Sequence, residues 1–425
     1  MDLSHIYAWS VLIAVLALIA SGRLRIEGVA LAGLFALGLA GIAPPATIFS
    51  GFGHPALMTI IAVFFISEAI VVSGVMRGLG QTIAKRLKST RAQVMGVALA
   101  GAIASAFMNN VGAVGLMLPT AVRMAGRCGS SGGTFGLPLA MASIIGGSVT
   151  LIGSAPNIII ASFMYSATGT PFRMFDYAPH GIAMLAAAAL IWLGCKSCGF
   201  DPGSGTCSGK KAEEKDNNGA GEEHLLFAPF SNRKKMVTLA IIAPAVMLVS
   251  FGLVHPALGF GAAALLLVLS RVLNAPGAYS CVDIGIVFFL GAMLGIGKTM
   301  EESGALIIIS DLLGAAAGEL SPLLLITLLV FLSSALSNAI NNAAAAVFMA
   351  PLAVGLASAG ELQTAAALMA VAAGTNLTLL LPTHQATLMV LSKAPFPTAS
   401  FIRFGLLLTA VCCSSAALMI NLVWQ

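Results

Sequence analysis

Two apolar stretches more than two hundred residues apart repeat one another: NNVGAVGLMLPTAV at Asn109 to Val122 and NNAAAAVFMAPLAV at Asn341 to Val354, with seven of fourteen positions identical. A chain with this duplication folds as two equivalent halves. Each copy opens on a pair of asparagines set inside an apolar run, where an unpaired amide costs several kcal/mol in hydrocarbon. An isolated membrane asparagine ordinarily joins two helices through a bond of roughly 0.6–2 kcal/mol. Two pairs at corresponding positions of a repeat point instead to a site. Repeated membrane segments interrupted at matching places are the best sequence pointer to where a transporter holds its solute.

The chain is 58% hydrophobic and only 9% charged over 425 residues, too little charge to cover a soluble surface. It therefore reads as an all-α polytopic membrane protein, with lipid as its surroundings. The net charge of +5 implies no nucleic-acid partner, because the basic residues lie in short loops between apolar runs.

Spans are expected at about 6–21, 27–43 and 55–74, then an apolar block at 92–126, a broken helix at 135–165 and a span at 179–195. Residues 1–195 thus form the first repeat. Residues 236–425 repeat the order with spans at 236–253, 257–272 and 283–298, a block at 322–358, a broken helix at 362–392 and a span at 400–422. Residues 196–235, rich in Gly, Lys, Glu, Asn and Asp, read as a flexible cytoplasmic linker. The two blocks are 35 and 37 residues long. As single helices at ~1.5 Å per residue they would reach about 52 Å or more, against a hydrocarbon core of ~30 Å. Each fits a re-entrant helical hairpin with its tip at the asparagine pair, where unwound backbone is tolerated if it faces protein or water.

With ten crossings and two hairpins, nineteen of the 21 Lys and Arg residues fall on one side and only Arg173 and Lys298 on the other. The basic side is cytoplasmic, which puts the linker inside and both termini outside. Five spans per half invert the second repeat relative to the first. The segment Met76 to Thr90, apolar on one face and basic elsewhere, is expected to lie along the cytoplasmic interface.

The repeat extends to GGSVTLIGSAPN at Gly146 to Asn157 and AGTNLTLLLPTHQ at Ala373 to Gln385. Pairing Thr150 with Thr378 sets Ser154, Pro156 and Asn157 opposite Pro382, His384 and Gln385. Gly153, Pro156 and Pro382 are residues that stop or kink a helix. Broken helices free carbonyls for a small cation and expose N-terminal amides to an anion. The polar side chains expected near the tips are Ser105, Asn109, Asn110, Ser337, Asn338, Asn341 and Asn342. His384 could add proton sensitivity. Glu68, an ionisable residue inside a span, is a candidate proton-titrating group.

The hairpins SAFMNNVGAVGLMLP and LSNAINNAAAAVFMAP, followed by GSAPN and LLPTHQATLMV, resemble the divalent-anion/sodium symporter family (dicarboxylate and sulfate permeases) of the ion-transporter superfamily that includes citrate and arsenite carriers. The resemblance covers nearly the whole chain. It implies inverted repeats, a homodimer in the bacterial cytoplasmic membrane, an elevator movement and one sodium site per repeat. By motif, Asn109, Asn110, Ser154 and Asn157 would serve one site, and Asn341, Asn342, Thr383 and Gln385 the other. The expected function is sodium-coupled symport of a small anion such as sulfate or a di- or tricarboxylate.

The main alternative on the same scaffold is a sodium/proton antiporter or a metalloid-oxyanion exporter. An intramembrane enzyme fits poorly: Glu301-Glu302 has no membrane His pair to complete a zinc site, and only His384 could serve a serine as base. The run Cys195-Lys196-Ser197-Cys198 with Cys207 and His224 matches no common metal module.

Overall fold

The computed structural model describes residues 3–75, 83, 86–194, 232–274, 280–304, 320–360, 362–393, 396 and 398–425. Residues 196–231 of the linker, with Cys195, and most of the segment 76–89 lie outside that set. Every regular element among the described residues is helical.

The first half comprises α1 (Leu3–Ala20), α2 (Ile26–Leu39), a short α3 (Pro45–Ile48) running into a 3-10 turn (Phe49–Gly53), and α4 (Pro55–Ser73). There follow α5 (Thr90–Phe107), α6 (Asn110–Arg127), α7 (Gly132–Gly146), α8 (Ala155–Thr168) and α9 (Ala178–Gly194). The second half comprises α10 (Asn232–Ser250), α11 (Pro256–Leu269), α12 (Ile284–Glu302), α13 (Pro322–Ala339), α14 (Asn342–Ser358), α15 (Thr364–Asn376), α16 (Gln385–Lys393) and α17 (Thr398–Trp424). Each long apolar block is a pair of helices, α5 with α6 and α13 with α14. Each following segment is a helix broken in the middle, α7 with α8 and α15 with α16.

Local chemistry sets these boundaries. Prolines occupy the first turns of α3, α4, α11 and α13, where the missing N–H costs nothing. Ser89, Asp283 and Ser321 cap α5, α12 and α13 by accepting from the backbone N–H of Ala92, Ile286 and Leu324. Gly74 and Gly169, at φ 68° and 74°, close α4 and α8 in the left-handed region. The short α3 and its turn were not expected from the sequence. They exist because Gly51 lets the turn lie against α12, where a Cβ would fall 2.1 Å from the Gly291 carbonyl oxygen.

The packing is reciprocal between halves. Helix α2 packs on α12, and α4 packs on α11. Helix α8 crosses over to α14 and α15 of the second half, and α16 crosses to α6 and α7 of the first. The final helices α9 and α17 pack on each other. These are the contacts a two-fold relation between the halves requires, since each element meets the counterpart of what its own counterpart meets. Leu39, Phe251 and Leu422 are largely exposed on the outer surface, a composition suited to lipid rather than water. Five of the described helical segments are long and apolar enough to cross a bilayer, and six shorter ones are apolar.

Candidate functional site

Both hairpins break over two residues, Met108 with Asn109 and Ile340 with Asn341, of which Met108, Ile340 and Asn341 have extended backbone. The first asparagine of each pair then caps the second arm. Asn109 Oδ1 accepts from the Val111 N–H at 3.2 Å, and Asn341 Oδ1 accepts from the Ala343 N–H at 2.8 Å. Asn342 Oδ1 takes the same Ala343 N–H at 3.0 Å, and Asn110 Oδ1 accepts from Ser105 Oγ at 2.6 Å. A backbone N–H only donates, so the amide oxygens of Asn109, Asn341 and Asn342 are held against the helix and their NH2 groups face outward. Among the described residues, the NH2 groups of all four tip asparagines make no hydrogen bond.

These groups face a cavity of ≈ 690 Å³ between the two tips. Asn109, Asn110, Ser154, Asn338, Asn341, Asn342, Thr383, His384 and Gln385 all line it, with Ser337, Thr378 and the apolar Ile60, Phe64 and Phe289. No Lys or Arg does. Positive potential comes instead from amide donors and from the N-termini of α6 and α14.

Ser105 and Asn157 lie behind the wall. Ser105 is fully buried and orients Asn110. Asn157, also fully buried, donates to the carbonyls of Gly147 at 3.1 Å and Thr150 at 2.8 Å, so it braces the first break and does not face the cavity. Asn338 does for the second break what Asn157 does for the first. Its amide donates to Ser334 and Leu377, and its oxygen accepts from the N–H of Leu380 and Leu381. His384 caps α16, accepting from the Ala386 N–H through Nδ1 at 3.1 Å, which leaves Nε2–H as a donor in the neutral ring. Glu68 faces the neighbourhood of Cys281 instead of the cavity.

The register between the breaks differs from the sequence pairing by two residues. Each break is eight residues long, 147–154 and 377–384, which sets Ser148 opposite Thr378, Ser154 opposite His384 and Thr150 opposite Leu380. The contacts agree: Thr150 Oγ1 donates to the Ala106 carbonyl, and Leu380 N–H donates to Asn338, the residue that corresponds to Ala106 in the other hairpin.

In this register Ser148 and Thr378 correspond, and both hydroxyls are buried with no hydrogen-bond partner among the described residues. Around the first break, oxygens converge. A Cβ on Gly147 would stand 2.5 Å from Asn110 Oδ1 and 3.1 Å from the Gly153 carbonyl; one on Gly153 would stand 2.6 Å and 2.9 Å from the carbonyls of Gly147 and Ser105. Such a set of neutral oxygens suits a hard, small cation.

The sequence matches the profile of the citrate transporter family over residues 16–374, which spans both tips, the first broken helix and α15 short of its last two residues. The chain belongs to that family. Within the curated relatives, it is 30% identical over 190 residues to the uncharacterized transporter YfbS of Escherichia coli, covering 44% of this chain and 31% of YfbS. It is 26% identical over 140 residues to sodium/sulfate cotransporter 1 of Chlamydomonas reinhardtii, covering 31% of this chain and 16% of that protein. The chain spans a third or less of the length of these two relatives. An uncharacterized transporter of Mycobacterium bovis is 26% identical with 97% of each chain covered. The YdaH transporter of Alcanivorax borkumensis shares the fold, with a TM-score of 0.62 at 13% identity over 89% of this chain and 87% of that one.

Two residues of this citrate transporter family member escape a sequence reading. Glu27 and Asp283 line the same cavity, and a Cβ on Gly285 would stand 3.1 Å from Asp283 Oδ1 and 3.6 Å from Glu27 Oε1. In sequence they are unremarkable loop charges at helix starts; only folding brings them together. Asn376 in the TNLT run was equally unassigned, although a polar residue just before a break is a visible signal.

Proposed function

We propose that this citrate transporter family protein is a sodium-coupled symporter of a small multivalent anion, working by an elevator movement of the hairpins and broken helices against α1, α2, α4, α10, α11 and α12. The observation that carries the reading is the set of three outward-facing asparagine amides, of Asn109, Asn341 and Asn342, around a cavity that no Lys or Arg lines among the described residues. Donors favour an anion, and a multivalent anion among neutral donors needs cations beside it. The carbonyl cradle at Gly147 and Gly153, with Ser148, and the corresponding Thr378 of the second break are the positions for sodium. A cavity of ≈ 690 Å³ suits a carboxylate of citrate's size better than sulfate.

Inward movement of each negative charge against a negative interior costs about 2.3 kcal/mol per 100 mV, so accumulation requires coupled cations. In this reading the repeats are inverted, the termini are external, the protein is a homodimer in a bacterial cytoplasmic membrane, and the cavity opens to the cytoplasm, since Glu27 lies beside Arg23 and Arg25. Reconstituted vesicles test it through uptake of labelled citrate, succinate and sulfate under sodium, potassium and proton gradients. Sodium-dependent uptake is expected. Equal uptake under all three gradients overturns symport.

A further inference from the structure

The tetrapeptide His-Pro-Ala-Leu occurs twice, at His54 to Leu57 and His255 to Leu258. The copies are not counterparts in the repeat, yet they open α4 and α11, which pack side by side. Each histidine caps its helix in the same way, with Nδ1 accepting from the N–H of Ala56 or Ala257 at 3.2 Å. Both rings therefore carry their neutral proton on Nε2. The two rings line one small cavity of ≈ 30 Å³ with Thr59, Ser162 and Tyr165. Ser162 Oγ stands 3.2 Å from His54 Nε2, and the Tyr165 ring meets His255 edge-on at 5.8 Å. Ser162 and Tyr165 belong to α8, whose other end carries Ser154 at the solute cavity.

We infer that His54 and His255 form a proton-released latch that holds α8 against the α4 and α11 helix starts while the cavity is open on the opposite side. The inference rests on the reading that α8 moves relative to those helices. Protonation turns each Nδ1 from acceptor to donor, so it faces a backbone N–H and the cap is lost. It also places two imidazolium charges together at the positive ends of two helix dipoles. The surrounding charged and titratable groups do not offset this. They are Tyr165 on α8, Arg173 with Asp176 in the loop before α9, and the Lys298, Glu301 and Glu302 cluster at the end of α12. Asp176 accepts from the Arg173 N–H, and the α12 cluster is engaged internally and with Thr47. The half of α10 at this end and the 3-10 turn contain no ionisable residue.

Spin labels at Ala167→Cys on α8 and Leu253→Cys before α11, in a background without other reactive cysteines, read the gap directly and need no knowledge of the solute. As the pH is lowered from about 8 to about 4, a range that ends well below the usual imidazole value, the distance distribution should shift to longer values. With His54→Asn and His255→Asn, singly and together, the shift should shrink and then vanish, because Asn caps a helix without titrating. A shift that survives in the double variant, or none in the parent, overturns the latch. A distance that responds to sodium plus citrate but not to pH sinks the latch alone. A distance fixed under every condition overturns both the latch and the moving-domain reading.

Discussion

Asn376 Nδ2 donates to Asn157 Oδ1 at 2.7 Å, joining the end of α15 to the first turn of α8 across 219 residues of sequence. The two broken helices are thereby fastened to each other at the point where both lose their own backbone ladder. The Tyr177 hydroxyl donates to the Asn157 carbonyl at 2.8 Å and anchors the same turn to the start of α9.

Asn157→Ala should therefore be a stability variant. It removes the amide bond to the Gly147 carbonyl and one of the two bonds made by the Thr150 carbonyl and by the Asn376 amide, all in a buried region, at about 1–3 kcal/mol per group left unsatisfied. A clear fall in the thermal unfolding midpoint in detergent is expected, and an unchanged midpoint would show that water takes over the bonds.

The tip amides should behave oppositely. Asn342→Asp keeps the oxygen that caps Ala343 and the side-chain shape, but replaces the outward NH2 with negative charge. Anion uptake in vesicles should be abolished while the unfolding midpoint stays near that of the parent. Asn110→Ala should likewise abolish uptake, and near-normal transport by both variants would remove the tips from the site.

Gly146→Ala and Gly374→Ala should impair folding. The added Cβ atoms would lie 2.4 Å from the Ala102 carbonyl oxygen and 2.3 Å from that of Val330, so backbone must move in both cases. Reduced yield and broadened gel-filtration profiles are the expected readout, whereas Gly126→Ala, which meets nothing within 4 Å, serves as the neutral comparison.

Removing the Glu27 and Asp283 charges from the cavity lining should alter cation handling without loss of stability. Asp283→Asn retains the cap on Ile286, since Asn caps as well as Asp. Combined with Glu27→Gln it should raise the sodium concentration needed for half-maximal efflux from the cytoplasmic side, measured in inside-out vesicles; an unchanged sodium dependence would exclude the pair from the ion path.

The linker orientation can be tested by labelling. A cysteine introduced at Ser204, in a background free of other reactive cysteines, should resist impermeant maleimide in whole cells, as the basic-side rule requires. Labelling there equal to labelling at the C-terminus would reverse the proposed topology.

Helix positions were legible in the sequence because a membrane chain must satisfy its backbone within each segment, so apolar runs, prolines and capping residues mark the boundaries directly. The asparagine pairs, Ser154, Thr383, His384 and Gln385 were legible as polar residues inside such runs. Their division of labour was not. Whether an amide faces a cavity or braces a break depends on which donors lie opposite, and that distinguishes Asn342 from Asn157, which look equally significant as letters.

What the sequence alone determined is the helical membrane fold, the duplicated order of its parts and the places where helices break, all consequences of hydrocarbon solvation and local backbone chemistry. Only the tertiary structure decided the register between the breaks, the crossing of α8 and α16 into the opposite halves, the meeting of Glu27 with Asp283 and the pairing of His54 with His255. Those depend on contacts between residues hundreds of positions apart, which local propensity and periodicity do not encode.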